Sequence, residues 1–255
     1  MKALNPWPYP RWIAHRGAGQ LAPENTLAAF RLGARHGYRM FECDAKLSAD
    51  GVAFLLHDAT LERTTNGLGQ AGDQPWAALA QLDAGSWHSG DYAGEPLPTL
   101  QNLARFCLSQ GHALNIEIKP TPGQESLTGR LVAEQAERWW AEQAASQPEQ
   151  PTPLPPLLTS FQVAALAAAQ AAAPALPRGL LLHEFWDGWQ EAAQALGCTA
   201  LVCHHPLWTQ QRIAQAHAQG WHALAYTVNQ AEQAQQLLDW GLDAVITDRV
   251  DQLGP

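Results

Sequence analysis

Seven polar side chains stand at or beside the ends of short apolar runs in this chain. His15 and Arg16 close the run Trp12-Ile13-Ala14 and are followed by Gly17. Glu42 and Asp44 sit two positions apart in the run 40–47, and His57 follows the run 52–56. Glu117 and Lys119 alternate with isoleucines in the run 113–119. A histidine moves protons near neutral pH, and two of them can serve as paired general acid and base. Three carboxylates without cysteine partners suit a hard divalent cation bound through oxygen. An arginine fork and a lysine ammonium suit an anionic substrate or a negatively charged transition state. Together these types fit cleavage of a phosphoryl ester. A glycosidase needs its carboxyl pair and has no call for cations beside it. Taken singly, each group has a plainer reading: Glu117 and Lys119 as an ion pair on a sheet, Glu42 and Asp44 as solvent-facing strand residues, His57-Asp58 as a turn.

The elements that would bring these groups together are strands and helices in alternation. Strands are expected over 12–14, 40–47, 52–56, 113–119, 157–161, 179–182, 200–203, 223–228 and 244–247. Helices are expected after a cap at Asn25 or Thr26, with Leu27, Phe30 and Ala34 inward, and then over 100–110, 127–145, 162–173, 187–196, 208–219 and 230–240. Such alternation predicts an α/β fold with a parallel sheet, here a (β/α)8 barrel. In a barrel, the carboxyl ends of the strands converge on one face, which gathers the seven groups. Nine strand candidates compete for eight places. Only twelve residues lie between Asp44 and His57, with an Asp50-Gly51 turn among them, so no helix fits there and the surplus strand belongs there. No Gly-x-Gly-x-x-Gly turn follows a strand, which removes a dinucleotide fold. Residues 59–98 are rich in glycine, proline and turn formers and read as an inserted lobe with one short helix at Trp76–Leu79. The whole chain, 1–255, reads as one domain carrying that lobe, and the Pro-rich stretch 148–156 reads as a surface loop.

The balance of 15 Lys plus Arg against 24 Asp plus Glu, a net charge of −9, argues against a nucleic-acid or anionic-membrane surface. Four cysteines with no metal-ligand spacing read as reduced and buried. The first eight residues lack the apolar core of a signal peptide, and no apolar run is long enough to span a bilayer. A cytoplasmic protein is the resulting expectation.

The motifs His15-Arg16-Gly17, Pro23-Glu24-Asn25-Thr26, Glu42-Cys43-Asp44, His57-Asp58, Glu62-Arg63-Thr64-Thr65-Asn66-Gly67, Asn115-Ile116-Glu117-Ile118-Lys119 and Tyr226-Thr227-Val228-Asn229 resemble the glycerophosphodiester phosphodiesterase family, in order and spacing, over essentially the whole chain. The resemblance is closest to its bacterial cytoplasmic branch. It implies a TIM barrel with a small insertion after the His57 strand, and hydrolysis of glycerophosphodiesters to an alcohol and sn-glycerol 3-phosphate. It implies that Glu42, Asp44 and Glu117 hold one divalent metal, with Mg²⁺ expected and Ca²⁺ the alternative, and that His15 and His57 act as acid and base. Arg16 and Lys119 are expected to bind the substrate phosphate. The expected partner is a small-molecule substrate, with no nucleic acid and no membrane. Competing readings are a phospholipase-like relative on the same barrel, a non-catalytic phosphodiester-binding barrel and a metal-dependent isomerase. Tyr226 stands where many relatives carry tryptophan. Strand alternation turns Cys43 away from the site. Trp87 is a candidate wall for substrate carbons, and the lobe 59–98 a candidate for choosing the alcohol. His183, His217 and His222 are expected to be structural or at the surface, and His204-His205 to form a strand-end loop.

Overall fold

The computed structural model describes residues 4–149 and 151–255. Residues 1–3 of the amino-terminal stretch and Gln150 of the Pro-rich stretch lie outside the described residues. Among the described residues nine strands form in chain order: β1 (Trp12–Ala14), β2 (Met40–Leu47), β3 (Ala53–Leu55), β4 (Ala113–Ile118), β5 (Leu157–Ser160), β6 (Arg178–Leu182), β7 (Ala200–His204), β8 (His222–Tyr226) and β9 (Ala244–Thr247). Eight of them pair in parallel in the order β1-β2-β4-β5-β6-β7-β8-β9, and β9 pairs back onto β1 to close the barrel. The surplus strand is β3, a short antiparallel partner of β2 with Ala45 opposite Leu55. It sits where the missing helix requires it.

Among the described residues the α-helices are α1 (Leu27–Arg35), α2 (Trp76–Leu79), α3 (Leu100–Gln110), α4 (Glu125–Ser146), α5 (Val163–Ala172), α6 (Trp189–Ala195), α7 (Gln210–Ala218) and α8 (Ala231–Asp239). Side-chain alternation divides the core. Ile13, Met40, Ala113, Leu157, Leu224 and Ile246 point inward and fill the barrel. Phe41, Cys43, Ala45, Leu114 and Ile116 point outward and pack under the helices with Phe30, Leu103, Cys107 and Val132. Cys43 therefore faces away from the barrel interior, as alternation requires. Trp7 and Tyr9, ahead of β1, pack at the amino-terminal end of the barrel. The Trp7 ring lies 5.0 Å from that of His222 at the start of β8, and Tyr9 donates its hydroxyl to the Pro155 carbonyl at 2.8 Å.

Helix α1 begins at Thr26, whose hydroxyl accepts the Ala29 N–H. Its buried face is Ala29, Phe30 and Gly33, not the expected Leu27, Phe30 and Ala34, which leaves Leu27 and Ala34 half-buried. The face turns because the helix must meet the 15–17 turn with its smallest residue. A Cβ on Gly33 would stand 2.1 Å from the Gly17 carbonyl oxygen. Helix α3 opens on a reciprocal cap between Thr99 and Asn102, a device worth about 1 kcal/mol. The lobe between β3 and α3 carries its own small core, with Leu61, Ala71, Leu79, Ala84 and Leu97 packed on Phe54 and Leu56.

Candidate active site

Glu42, Asp44 and Glu117 are inward residues of neighbouring strands. Parallel pairing of β2 with β4 sets Glu42 beside Asn115 and Asp44 beside Glu117. One ligand oxygen from each of the three carboxylates lies within 4.8 Å of the others, and among the described residues no second such group of His, Cys, Asp or Glu occurs. Glu42 and Asp44 are 3% and 0% exposed. Burial pushes the Glu42 carboxyl up to about 8, and the Asp44 charge adds to it. Glu117 rises for the same two reasons. Asp44 moves the other way. Burial raises it, but Arg16, Lys119, His57 and a hydrogen bond from Asn25 outweigh burial and hold it well below the usual carboxylate range.

The backbone around these acids is unusual in the same places. Among the described residues, Arg16 and Asn25 are the non-glycine residues with left-handed φ, at 50° and 59°, a region disfavoured for side chains with a Cβ. The turn at Arg16 aims its backbone N–H at Glu42 Oε2, 3.1 Å away. Asn25 clamps Asp44 from both sides: its Nδ2 donates to Oδ2 at 2.8 Å, and its Oδ1 accepts the Asp44 N–H at 3.1 Å. Among the described residues, Asp44 Oδ1 is buried and accepts no hydrogen bond, with the Lys119 ammonium 3.5 Å from it. Three converging carboxylates, two of them raised by burial and one carrying an unsatisfied oxygen, fit a hard divalent cation.

The two histidines flank this group. His15 Nδ1 meets Asp248 Oδ1 at 2.6 Å, and its Nε2 lies 3.8 Å from Glu42. His57 Nδ1 meets Asp58 Oδ1 at 2.7 Å. A carboxylate at Nδ1 requires the proton there, which leaves Nε2 of each ring as its exchanging atom. Burial favours a neutral His15, but Asp248 and Glu42 outweigh it and lift that imidazole above its ordinary value. Burial lowers His57, and Arg16 and Lys119 add to this against the pull of Asp44. Arg16 reaches Glu24 at 2.9 Å and Asp44 at 3.2 Å; Lys119 reaches Glu117 at 2.9 Å and Asp44 at 3.5 Å.

All seven expected residues thus meet at one end of the barrel. Six of them line a cavity of about 270 Å³, and Asp44 lies buried beneath it. The rest of the wall includes Phe161, Leu181, His183, Tyr226 and Thr227. His183, expected to be structural or at the surface, belongs to this wall and stacks on His204 at 4.7 Å. Trp87 does not; its indole donates to the Ala84 carbonyl and its ring edge meets His88. Sequence reasoning offered Asn25 only as a helix-cap candidate and assigned no site role to Asp248, Glu24, Asp58 or Arg63. Arg63, from the lobe, spans two of them, with Glu24 at 2.8 Å and Asp58 at 2.6 Å.

The model of the glycerophosphoryl diester phosphodiesterase family matches residues 15–252. The chain belongs to that family. A glycerophosphodiester phosphodiesterase of Caldanaerobacter subterraneus is 29% identical over 94% of this chain and 95% of its own. A second, from Bacillus subtilis, is 29% identical over 94% of this chain and 83% of its own. Among solved structures, an Oleispira antarctica phosphodiesterase in complex with its product sn-glycerol 3-phosphate is 38% identical, with a TM-score of 0.86 over 94% of this chain and 93% of that one. Membership makes this chain a glycerophosphodiester phosphodiesterase, and the family's general need for a divalent metal meets a suitable acidic group here. Among the described residues no helix is long and apolar enough to cross a membrane.

Proposed function

We propose that this enzyme hydrolyses glycerophosphodiesters, such as glycerophosphocholine and glycerophosphoethanolamine, to an alcohol and sn-glycerol 3-phosphate, using one divalent metal and a pair of histidines. The observation that carries the proposal is the convergence of Glu42, Asp44 and Glu117 between two imidazoles and two cations. The product bound by the Oleispira relative supports the choice of substrate. A metal bound by the three carboxylates, Mg²⁺ in this reading with Ca²⁺ as the alternative, supplies charge neutralisation at the phosphoryl oxygens.

The chain's own residues do the rest. Arg16 and Lys119 bind the phosphate and oppose the charge that grows on it in the transition state. One imidazole accepts a proton at Nε2 from the attacking hydroxyl or water, and the other donates one to the departing alkoxide. Asp248 and Asp58 hold the two rings in that tautomer. Residues 1–255 act as one catalytic domain with the lobe 59–98 inserted. Four free, buried cysteines support a reducing compartment such as the cytoplasm.

The test is release of glycerol 3-phosphate from glycerophosphocholine by metal-stripped protein, with and without Mg²⁺ or Ca²⁺. Release that depends on metal is expected. His15→Ala and His57→Ala should each lose on the order of 10²–10⁴-fold in turnover while remaining folded. Metal-independent release, or near-normal turnover by either variant, would reject the assignment.

A further inference from the structure

Two cavities meet at Lys119. The first, of about 270 Å³, lies over the barrel axis. The second, of about 240 Å³, opens outward past the carboxyl ends of β2, β4 and β5. His57, Glu117, Lys119 and Phe161 line both, and the Lys119 ammonium lies 5.9 Å from the centre of the Phe161 ring. A phosphodiester has two alcohol arms on one phosphorus. A phosphate held by Lys119 would therefore have one cavity available to each arm. The first cavity carries Asn115, Thr159, His183 and Thr227, polar groups suited to the hydroxyls of the glycerol arm. The second remains for the alcohol that leaves.

The second cavity has a distinct chemistry. Lys46, on the inward face of β2, lines it and is 1% exposed. Among the described residues its ammonium makes one hydrogen bond, to the Lys119 carbonyl at 3.0 Å. An ammonium has three donors, so Lys46 has two to spare in a dry setting. Two carboxylates share the wall. Glu117 is paired with Lys119. Glu125 is half-buried at the start of α4 and accepts the Gly123 N–H. A charge withdrawn from solvent acts more strongly than a screened one, so Lys46, beside Lys119, adds a second cation to this wall. No residue of the lobe beyond Ala59 lines either cavity.

We propose that this second cavity is the leaving-alcohol subsite and that Lys46 makes it prefer alcohols offering hydroxyl or anionic oxygens over cationic amino alcohols. The substrate class is thus the glycerophosphodiester of a polyol, with choline and ethanolamine esters accepted less well. The proposal deepens the hydrolytic reading above and rests on it.

The experiment compares kcat/KM for glycerophosphoglycerol and glycerophosphoinositol with that for glycerophosphocholine, using the full chain with Mg²⁺. The wild type should favour the polyol esters by about tenfold, the scale of one charge-assisted hydrogen bond. Lys46→Met should bring the ratio toward one, and Lys46→Gln, which keeps a donor, should fall between. Circular dichroism checks that each variant is folded. Titration calorimetry of the same esters with His15→Ala protein, alone and combined with Lys46→Met, repeats the comparison without turnover. If nothing is hydrolysed, the reaction assigned above fails while the ratio of dissociation constants still decides the subsite. A wild-type ratio near one, or equal losses on every ester in Lys46→Met, would overturn the proposal. Equal losses would mean that Lys46 faces the arm common to all the substrates.

Discussion

Replacing Asn25 by alanine should separate the architecture of the acidic group from the stability of the barrel around it. Asn25 is 2% exposed and makes both of its side-chain bonds to Asp44, at 2.8 and 3.1 Å. The first goes to a charged acceptor, a type worth about 1.5–3 kcal/mol. Losing the second leaves the buried Asp44 N–H without that acceptor, which costs about 1–3 kcal/mol. Asparagine tolerates φ of 59° better than alanine, adding up to about 1 kcal/mol. Because the terms share one residue pair they do not add fully, and a loss of about 3–5 kcal/mol is expected. Asn25→Gly loses both bonds but relieves the backbone, so it should recover about 1 kcal/mol of that. The freed Asp44 carboxylate should also weaken metal binding by about 10–100-fold, the usual effect of removing a residue that orients a ligand. Urea unfolding followed by tryptophan fluorescence measures the first effect, and the Mg²⁺ concentration for half-maximal activity measures the second. An Asn25→Ala protein with wild-type stability and wild-type Mg²⁺ demand would refute the reasoning.

Three other perturbations have defined outcomes. Arg63→Gln cuts the ties from the lobe to Glu24 and Asp58, and hence to Arg16 and His57; because Arg63 is 44% exposed, stability should change by no more than about 1 kcal/mol, while kcat should fall about tenfold and partly recover in added guanidinium. Gly33→Ala would set a Cβ 2.1 Å from the Gly17 carbonyl and 2.9 Å from Phe41, so thermal unfolding should register a loss of about 1–3 kcal/mol or more, with activity reduced as the 15–17 turn shifts. Asp243 accepts from His217 and from the Ala223 N–H at the base of β8; burial raises its carboxyl, but His222, that N–H and His217 outweigh burial and depress it. A depressed carboxyl stabilises the fold above its unfolded value of about 3.9 and loses this as pH falls through the folded value. Asp243→Asn should therefore be less stable than the wild type in urea at pH 7, and the gap should narrow below about pH 4.

What could be read from the sequence was whatever local pattern encodes. Two-residue alternation placed Glu42, Asp44 and Glu117 on one side of their strands, and the short gap before His57 announced β3 as an extra strand. The contacts that escaped are those between distant segments. His15 and Asp248 are 233 positions apart, and Arg63 and Glu24 are 39 apart. No periodicity marks such pairs. One signal was nonetheless available: Asp248 follows the apolar run Ala244–Thr247 just as His15 follows its own run, so the same strand-end rule selects both. The buried face of α1 was misplaced by about one position because Gly33 carries no hydrophobic signal, although the 15–17 turn packs against it.

The bond between His15 and Asp248 also bears on when the site comes into being. One partner follows the first strand of the barrel and the other follows the last. During synthesis β1 waits unpaired on that edge until nearly the whole chain has emerged. Pairings of such long range form late, because their loop entropy is met only when the intervening chain is ordered. The His15 ring is therefore expected to be oriented by one of the later contacts of folding. Partly folded forms that already hold helices and most of the sheet would lack it. Recovery of turnover during refolding should then lag behind recovery of helical signal, making activity a clock for ring closure.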